Sequence, residues 1–241
     1  IARTLGAEQL FGVASHECEA VNRFLRENGF GSIQLQDYGS GQDMAYVASI
    51  IKLLGNWLTP GEKGYKLPIS RVPAFRLDKS CGIVHYASNG QRLVRIPTNS
   101  RFDMWISETC DAVGFDQIDF WIDLISKAKS VSGNGAVLPF IDIKQAKVDI
   151  KDLVGMRAGN VIIQQALAAA NFKLTNIGAS FEMAVAMSAL RMVMDLESPE
   201  AGDFVVGQSL NFALVRRQEP LMPLAVGLVS SDEFSHTSDI S

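Results

Sequence analysis

Apolar positions in this chain fall mostly into short runs closed by Gly, Pro, Asn or Asp, the pattern that bounds strands. The first element differs. Leu10, Ala14, Cys18, Val21 and Leu25 recur every three or four positions, which predicts an amphipathic helix closed by Asn28-Gly29. After the turn-rich Tyr38-Gly-Ser-Gly41, residues 44–54 form a nearly continuous apolar run that predicts a buried strand. Short strands are predicted over 66–75, 81–86, 93–96 and 102–106. A helix follows over 116–129, with Ile118, Trp121, Ile122 and Ile125 on its apolar face. Asp149 predicts the cap of a short helix ending at Gly155. Runs of strands with few helices indicate an α+β fold rather than alternating βαβ units. Residues 1–229 are expected to form one domain, with 230–241 as a loose polar C-terminal tail.

Composition narrows the function more than it names it. The 241 residues are 47% hydrophobic and 20% charged, with net charge −4 and no cluster of Lys and Arg, so a nucleic-acid footprint is not expected. Lys52, Lys173 or Pro223 interrupts each long apolar run short of a bilayer span, so no membrane is expected either. Cys18, Cys81 and Cys110 are odd in number and show no CxxC spacing, which favours neither a disulfide framework nor a zinc site. No glycosylation sequon occurs, although Asn99-Ser100-Arg101 comes near one. Free thiols without sequons point to an intracellular or virion-interior setting. The chain begins at Ile1, so an upstream segment is expected to have been removed or left out, and a signal peptide is not assessable.

Catalysis finds no footing. His16, His85 and His236 stand apart from any Ser or Cys signature and read as surface or structural residues. Asp111, Asp116, Asp119 and Asp123 read as a solvated face, and the pairs Gly39/Gly41 and Gly133/Gly135 as turns. No catalytic, cofactor-binding or metal-binding residue is expected, and the protein is not expected to be an enzyme.

Five segments fall in one order at one spacing. Val137-Leu-Pro-Phe-Ile-Asp-Ile is followed by Val148-Asp-Ile-Lys-Asp-Leu-Val-Gly-Met. A long apolar run then ends in Asn176-Ile-Gly178-Ala-Ser. Ser209-Leu-Asn-Phe-Ala-Leu-Val and Leu221-Met-Pro-Leu-Ala-Val-Gly227-Leu-Val close the series. This order resembles the C-terminal half of a serpin. Upstream, Gly55-Asn-Trp57-Leu-Thr-Pro60 resembles the end of the central strand in the serpin main sheet. Leu93-Val-Arg-Ile-Pro97 and Arg101-Phe-Asp-Met-Trp-Ile106 resemble two adjacent serpin strands. The resemblance runs from about Glu19 to Val229. It implies serpin-like mixed β-sheets with few helices, in a chain that lacks the family's N-terminal helical bundle.

The resemblance also marks a reactive loop from Asn176 to about Asp203. In an inhibitory serpin a protease cleaves this loop, whose N-terminal arm then enters the main sheet as a strand. Small residues make entry fast, because each bulky or charged one must be desolvated and packed. This chain keeps Gly178 and Ala179 of the hinge. Asn176 stands where the family has a glutamate, and Phe181, Glu182 and Met183 follow where small residues are usual. The hinge residues Asn176, Gly178, Ala179 and Phe181 therefore favour a non-inhibitory protein, a structural or protein–protein interaction component of an assembly such as a viral particle. A protein partner or a second copy would cover the sheet surface that the missing bundle leaves open. The alternative is a serine or cysteine protease inhibitor, with Arg191, Met192 and Val193 as its specificity residues.

Two conformations of the loop remain open. Ala179, Phe181, Met183, Val185 and Met187 alternate with Ser180, Glu182, Ala184, Ala186 and Ser188, which fits a half-buried strand of the main sheet. The good helix formers between Phe181 and Leu196 fit an exposed helix.

Overall fold

A computed structural model of the chain describes residues 7–37, 45–110, 112, 116–148, 154–158, 161–183, 201–217 and 221–237. In chain order it begins with β1 (Ala7–Ser15), α1 (Cys18–Glu27), β2 (Tyr46–Asn56), β3 (Glu62–Lys66), β4 (Pro73–Leu77), β5 (Val84–Ser88), β6 (Gln91–Pro97) and β7 (Phe102–Ser107). Next come α2 (Asp116–Ser126), β8 (Lys129–Val131), β9 (Ala136–Pro139), β10 (Ile141–Val148), β11 (Arg157–Ala158) and β12 (Val161–Ile162). The last are β13 (Ala168–Leu174), β14 (Gly178–Met183), β15 (Phe204–Val205), β16 (Ser209–Arg216) and β17 (Pro223–Ser230).

The main sheet has the order β1-β2-β14-β13-β10, and every neighbouring pair in it is antiparallel. A six-stranded antiparallel sheet runs β17-β16-β7-β6-β5-β8, and a four-stranded sheet runs β15-β9-β4-β3. Within the latter, β15 is parallel to β9. β11 and β12 form a separate hairpin.

Alternation along each strand builds the layers, since successive side chains point to opposite faces. On β2, Tyr46 and Ile50 join Cys18, Val21 and Leu25 of α1. Leu53 and Trp57 lie on the opposite face, in the main core. On β16, Phe212 and Leu214 enter that core, while Ala213 and Val215 meet Trp121 and Leu124 of α2. The order is therefore α1, main sheet, six-stranded sheet, α2. Phe172 of β13 stacks on Phe212 of β16, with ring centroids 4.3 Å apart and planes 7° from parallel. Phe181 of β14 approaches the same ring edge-on at 6.4 Å. Each buried ring contributes about 1.5–3 kcal/mol of transfer free energy, which makes this trio a principal tie between the sheets.

Several expectations need correction. The helix does not begin at Leu10: residues 7–15 form β1, paired with β2 from Ala7↔Leu54 to Ser15↔Tyr46. That nine-residue ladder outweighs a weak helical period, and only Cys18, Val21 and Leu25 keep their helical roles. Residues 66–75 are two strands and a turn, because Pro68 supplies no donor and Arg71 adopts φ +57°. The Arg71 and Leu67 N–H groups donate to Leu67 O and Val72 O across that turn. On α2 the buried side chains are Trp121 and Leu124, whereas Ile118 and Ile122 are exposed. Asp149 lies outside the described residues, and the Gly155 N–H donates to Ile163 O at the open end of the β11–β12 hairpin. The expected loose tail is docked in part. Phe234 is buried against the core, and the Ser235 N–H donates to Phe140 O at 2.7 Å.

Candidate functional site

The predicted hinge lies between β13 and β14, and its backbone is tied on every side. The Trp57 indole Nε1–H donates to Thr175 O at 2.9 Å, and the Trp57 N–H to Ile177 O at 2.9 Å. Asn176 is bound twice to Gly61: its Nδ2 donates to Gly61 O at 3.0 Å, and its carbonyl accepts the Gly61 N–H at 2.6 Å. The Thr175 N–H donates to Gly178 O at 2.9 Å, closing the turn. Gly55-Asn-Trp57, singled out as the end of a central strand, is thus the wall against which the hinge rests.

Gly178 needs its missing side chain here. A Cβ at this position would sit 2.4 Å from Gly55 O and 2.7 Å from Asn56 Cα, both backbone atoms of β2. Gly178→Ala is expected to cost about 1–3 kcal/mol in urea denaturation, since backbone of a neighbouring strand yields poorly to overpacking. Gly207→Ala is its control: a Cβ there meets nothing within 4 Å, and the change should stay within about 0.5 kcal/mol.

From Gly178 to Met183 the chain is a strand, hydrogen-bonded to β2 on one side and β13 on the other. Ala179 and Phe181 point into the main core. Glu182, on the opposite face, is half-buried beside Lys52 at 3.4 Å and accepts a hydrogen bond from Asn171 Nδ2 at 3.3 Å. Phe181 and Glu182, which break the small-residue pattern of a serpin hinge, are both accommodated in this sheet. Arg191, Met192 and Val193 lie outside the described residues, as do positions 184–188 of the alternating pattern.

At the other end of the loop, β15 is held by charges that sequence reasoning did not single out. Arg76 of β4 donates to both Asp203 oxygens, Nε to Oδ2 at 2.8 Å and Nη2 to Oδ1 at 3.2 Å. The Asp203 side chain is fully buried and also accepts the Gly135 N–H at 2.9 Å. Arg92 Nη2 donates to the Asp203 carbonyl at 3.2 Å, and its guanidinium lies over the Phe204 ring. No local signal could have found the Arg76–Asp203 pair, whose members stand 127 positions apart. His85, read as a surface or structural residue, is buried close to this group. Desolvation, then the Arg92 charge, hold its imidazole below the ordinary histidine value.

Cys18 and Cys81 are buried free thiols that burial pushes up, which disfavours the reactive thiolate. Among the described residues, no group of three His, Cys, Asp or Glu could hold a metal ion, and no helix is long and apolar enough to cross a membrane.

No family model matches the chain, and no curated protein matches it in sequence. Solved structures do match. The thermophilic serpin tengpin, in its latent state, aligns at a TM-score of 0.54 over 94% of this chain and 76% of its own, with 11% identity. This chain has the serpin fold. Human thyroxine-binding globulin, complexed with thyroxine, aligns at 0.55 over 94% of this chain and 75% of its own, with 8% identity. A cleaved Serpin 42Da aligns at 0.51 over 88% of this chain, with 14% identity. The alignment spans 64% of the length of Serpin 42Da. Mostly strands, with two α-helices among the described residues, the serpin fold here is the expected α+β architecture.

Proposed function

We propose that this serpin-fold chain is a non-inhibitory scaffold that binds a protein partner or a second copy of itself. The observation that carries this reading is the position of β14. Its six residues already occupy the place between β2 and β13, paired on both sides. An inhibitor draws on strand entry after cleavage, and a strand already seated leaves less of that free energy to release. Val47 of β2 and Phe11 of β1 are exposed apolar side chains on opposite faces of the β1 end of the sheet, surface that a partner gripping that edge would cover.

Trypsin-like, chymotrypsin-like and elastase-like proteases test it, followed by thermal melting and denaturing electrophoresis. The expected outcome is cleavage without an SDS-stable complex, and a Tm rise below about 4 °C, the shift that 1 kcal/mol gives a chain of this size. A covalent complex, with cleavage after Arg191 or Met192, would replace this reading with that of a protease inhibitor.

A further inference from the structure

We propose that His85 is a proton-operated latch on β15: β15 stays paired with β9 while the imidazole is neutral, and is released when it gains a proton. The latch does not depend on whether the chain is a scaffold or an inhibitor.

The geometry runs through one short segment, Gly133-Asn-Gly135. On one side it presses on the imidazole: a Cβ at Gly133 would fall 2.2 Å from His85 Cγ, so ring and backbone are in direct contact. On the other side it holds the approach to β15. Asn134 Nδ2 donates to Ala201 O at 2.8 Å, the Asn134 N–H to Gly202 O at 3.3 Å, and the Gly135 N–H to Asp203 Oδ1 at 2.9 Å. The Phe204 and Val206 N–H groups then donate to Gly135 O at 2.9 Å and Val137 O at 3.3 Å, which docks β15 on β9. Whatever displaces this segment removes the bonds to Ala201 O, Gly202 O, Asp203 Oδ1 and the Phe204 N–H together, leaving Val206 on Val137 and Asp203 on Arg76 and Arg92.

A proton on His85 would do so. The residue is 4% exposed, and its Nε2 has no hydrogen-bond partner among the described residues, so an N–H formed there would be buried and unsatisfied. Arg92 of β6 and Lys79, in the turn after β4, oppose the new charge. Asp203 favours it but is already engaged by Arg76. A backbone hydrogen bond to Asn134 favours it as well, without outweighing burial. Water can reach the ring once the 133–135 segment moves away, and that movement opens β15. The sign follows from a folded-state value below the unfolded one. The latch is closed above about pH 6.5, the unfolded histidine value, and loosens as pH falls through the folded value.

Hydrogen exchange tests this, with rates corrected for their intrinsic pH dependence. Protection of the Phe204 and Val206 amides should fall by up to about ten-fold per pH unit below pH 6.5, the limit for one linked proton. Protection in β13 should hold. In His85→Gln, neutral at every pH, protection at β15 should not change with pH. Arg92→Gln removes a charge that opposes the proton in the closed state, so the loss of β15 protection between pH 6.5 and 5 should be smaller than in the parent, whatever its effect on stability, which keeps a test available if His85→Gln does not fold. Constant protection at β15 down to pH 5 would overturn the latch. So would an equal loss in His85→Gln, an equal loss across β13, or a pH-dependent loss undiminished in Arg92→Gln.

Discussion

Asp203→Ala should destabilise the fold by about 3–5 kcal/mol, because it leaves the Arg76 guanidinium buried without its main counter-charge. The Arg76 side chain is 7% exposed, and Asp203 meets it with two oxygens. Asp78 approaches Arg76 at 3.5 Å, but its half-exposed carboxylate can only partly replace the lost partner. The substitution also strips the Gly135 N–H of its acceptor. Urea denaturation measures the loss. Replacing both residues with apolar side chains of similar volume should recover most of it, since a buried ion pair is often matched by good packing. A loss below about 1 kcal/mol for the single change would mean that water reaches Arg76 and the pair acts as a surface bridge.

Phe181→Ala should cost a similar amount, about 3–5 kcal/mol, for a different reason. The ring is 6% exposed and lies between Phe172 and Phe212, at centroid distances of 6.5 and 6.4 Å. Removing it opens a cavity between the main and six-stranded sheets, which the surrounding strands can close only in part. β14 loses its largest described core side chain, so cleavage within residues 178–183 should appear alongside the drop in stability. Glu182→Gln is the contrast. The Lys52–Glu182 pair is partly exposed, and its loss should fall within about 1 kcal/mol. A Phe181→Ala protein as stable as the parent would mean that the strand is not held by its core face. The scaffold reading would then lose its support.

Both predictions concern contacts that the sequence announced unequally. The strand Gly178–Met183 was legible as one of two conformations, because Ala179 and Phe181 alternate with Ser180 and Glu182. Gly178 was legible as a hinge glycine through the serpin resemblance, although its tightness against Gly55 was not. The first element misled. Leu10 and Ala14 continue the period of Cys18, Val21 and Leu25 but belong to a strand, because residues 7–15 find a complete ladder on β2. Ile118 and Ile122 of α2 are exposed although their spacing put them on an apolar face with Trp121. The period indicates that a stripe exists, and the neighbouring sheet chooses which turn of it to cover.

What the chain determined by itself is the set of local conformations: where Gly, Pro and Asn interrupt the apolar runs, and where alternation requires a two-sided strand. These follow from φ/ψ limits and side-chain direction, which depend on near neighbours alone. Tertiary structure alone decided that β14 lies between β2 and β13, that Asp203 meets Arg76, and that His85 rests against the segment holding β15. Each joins residues far apart in sequence. A ladder partner or a buried counter-charge is selected by which segment can close the core, and no local pattern encodes that choice.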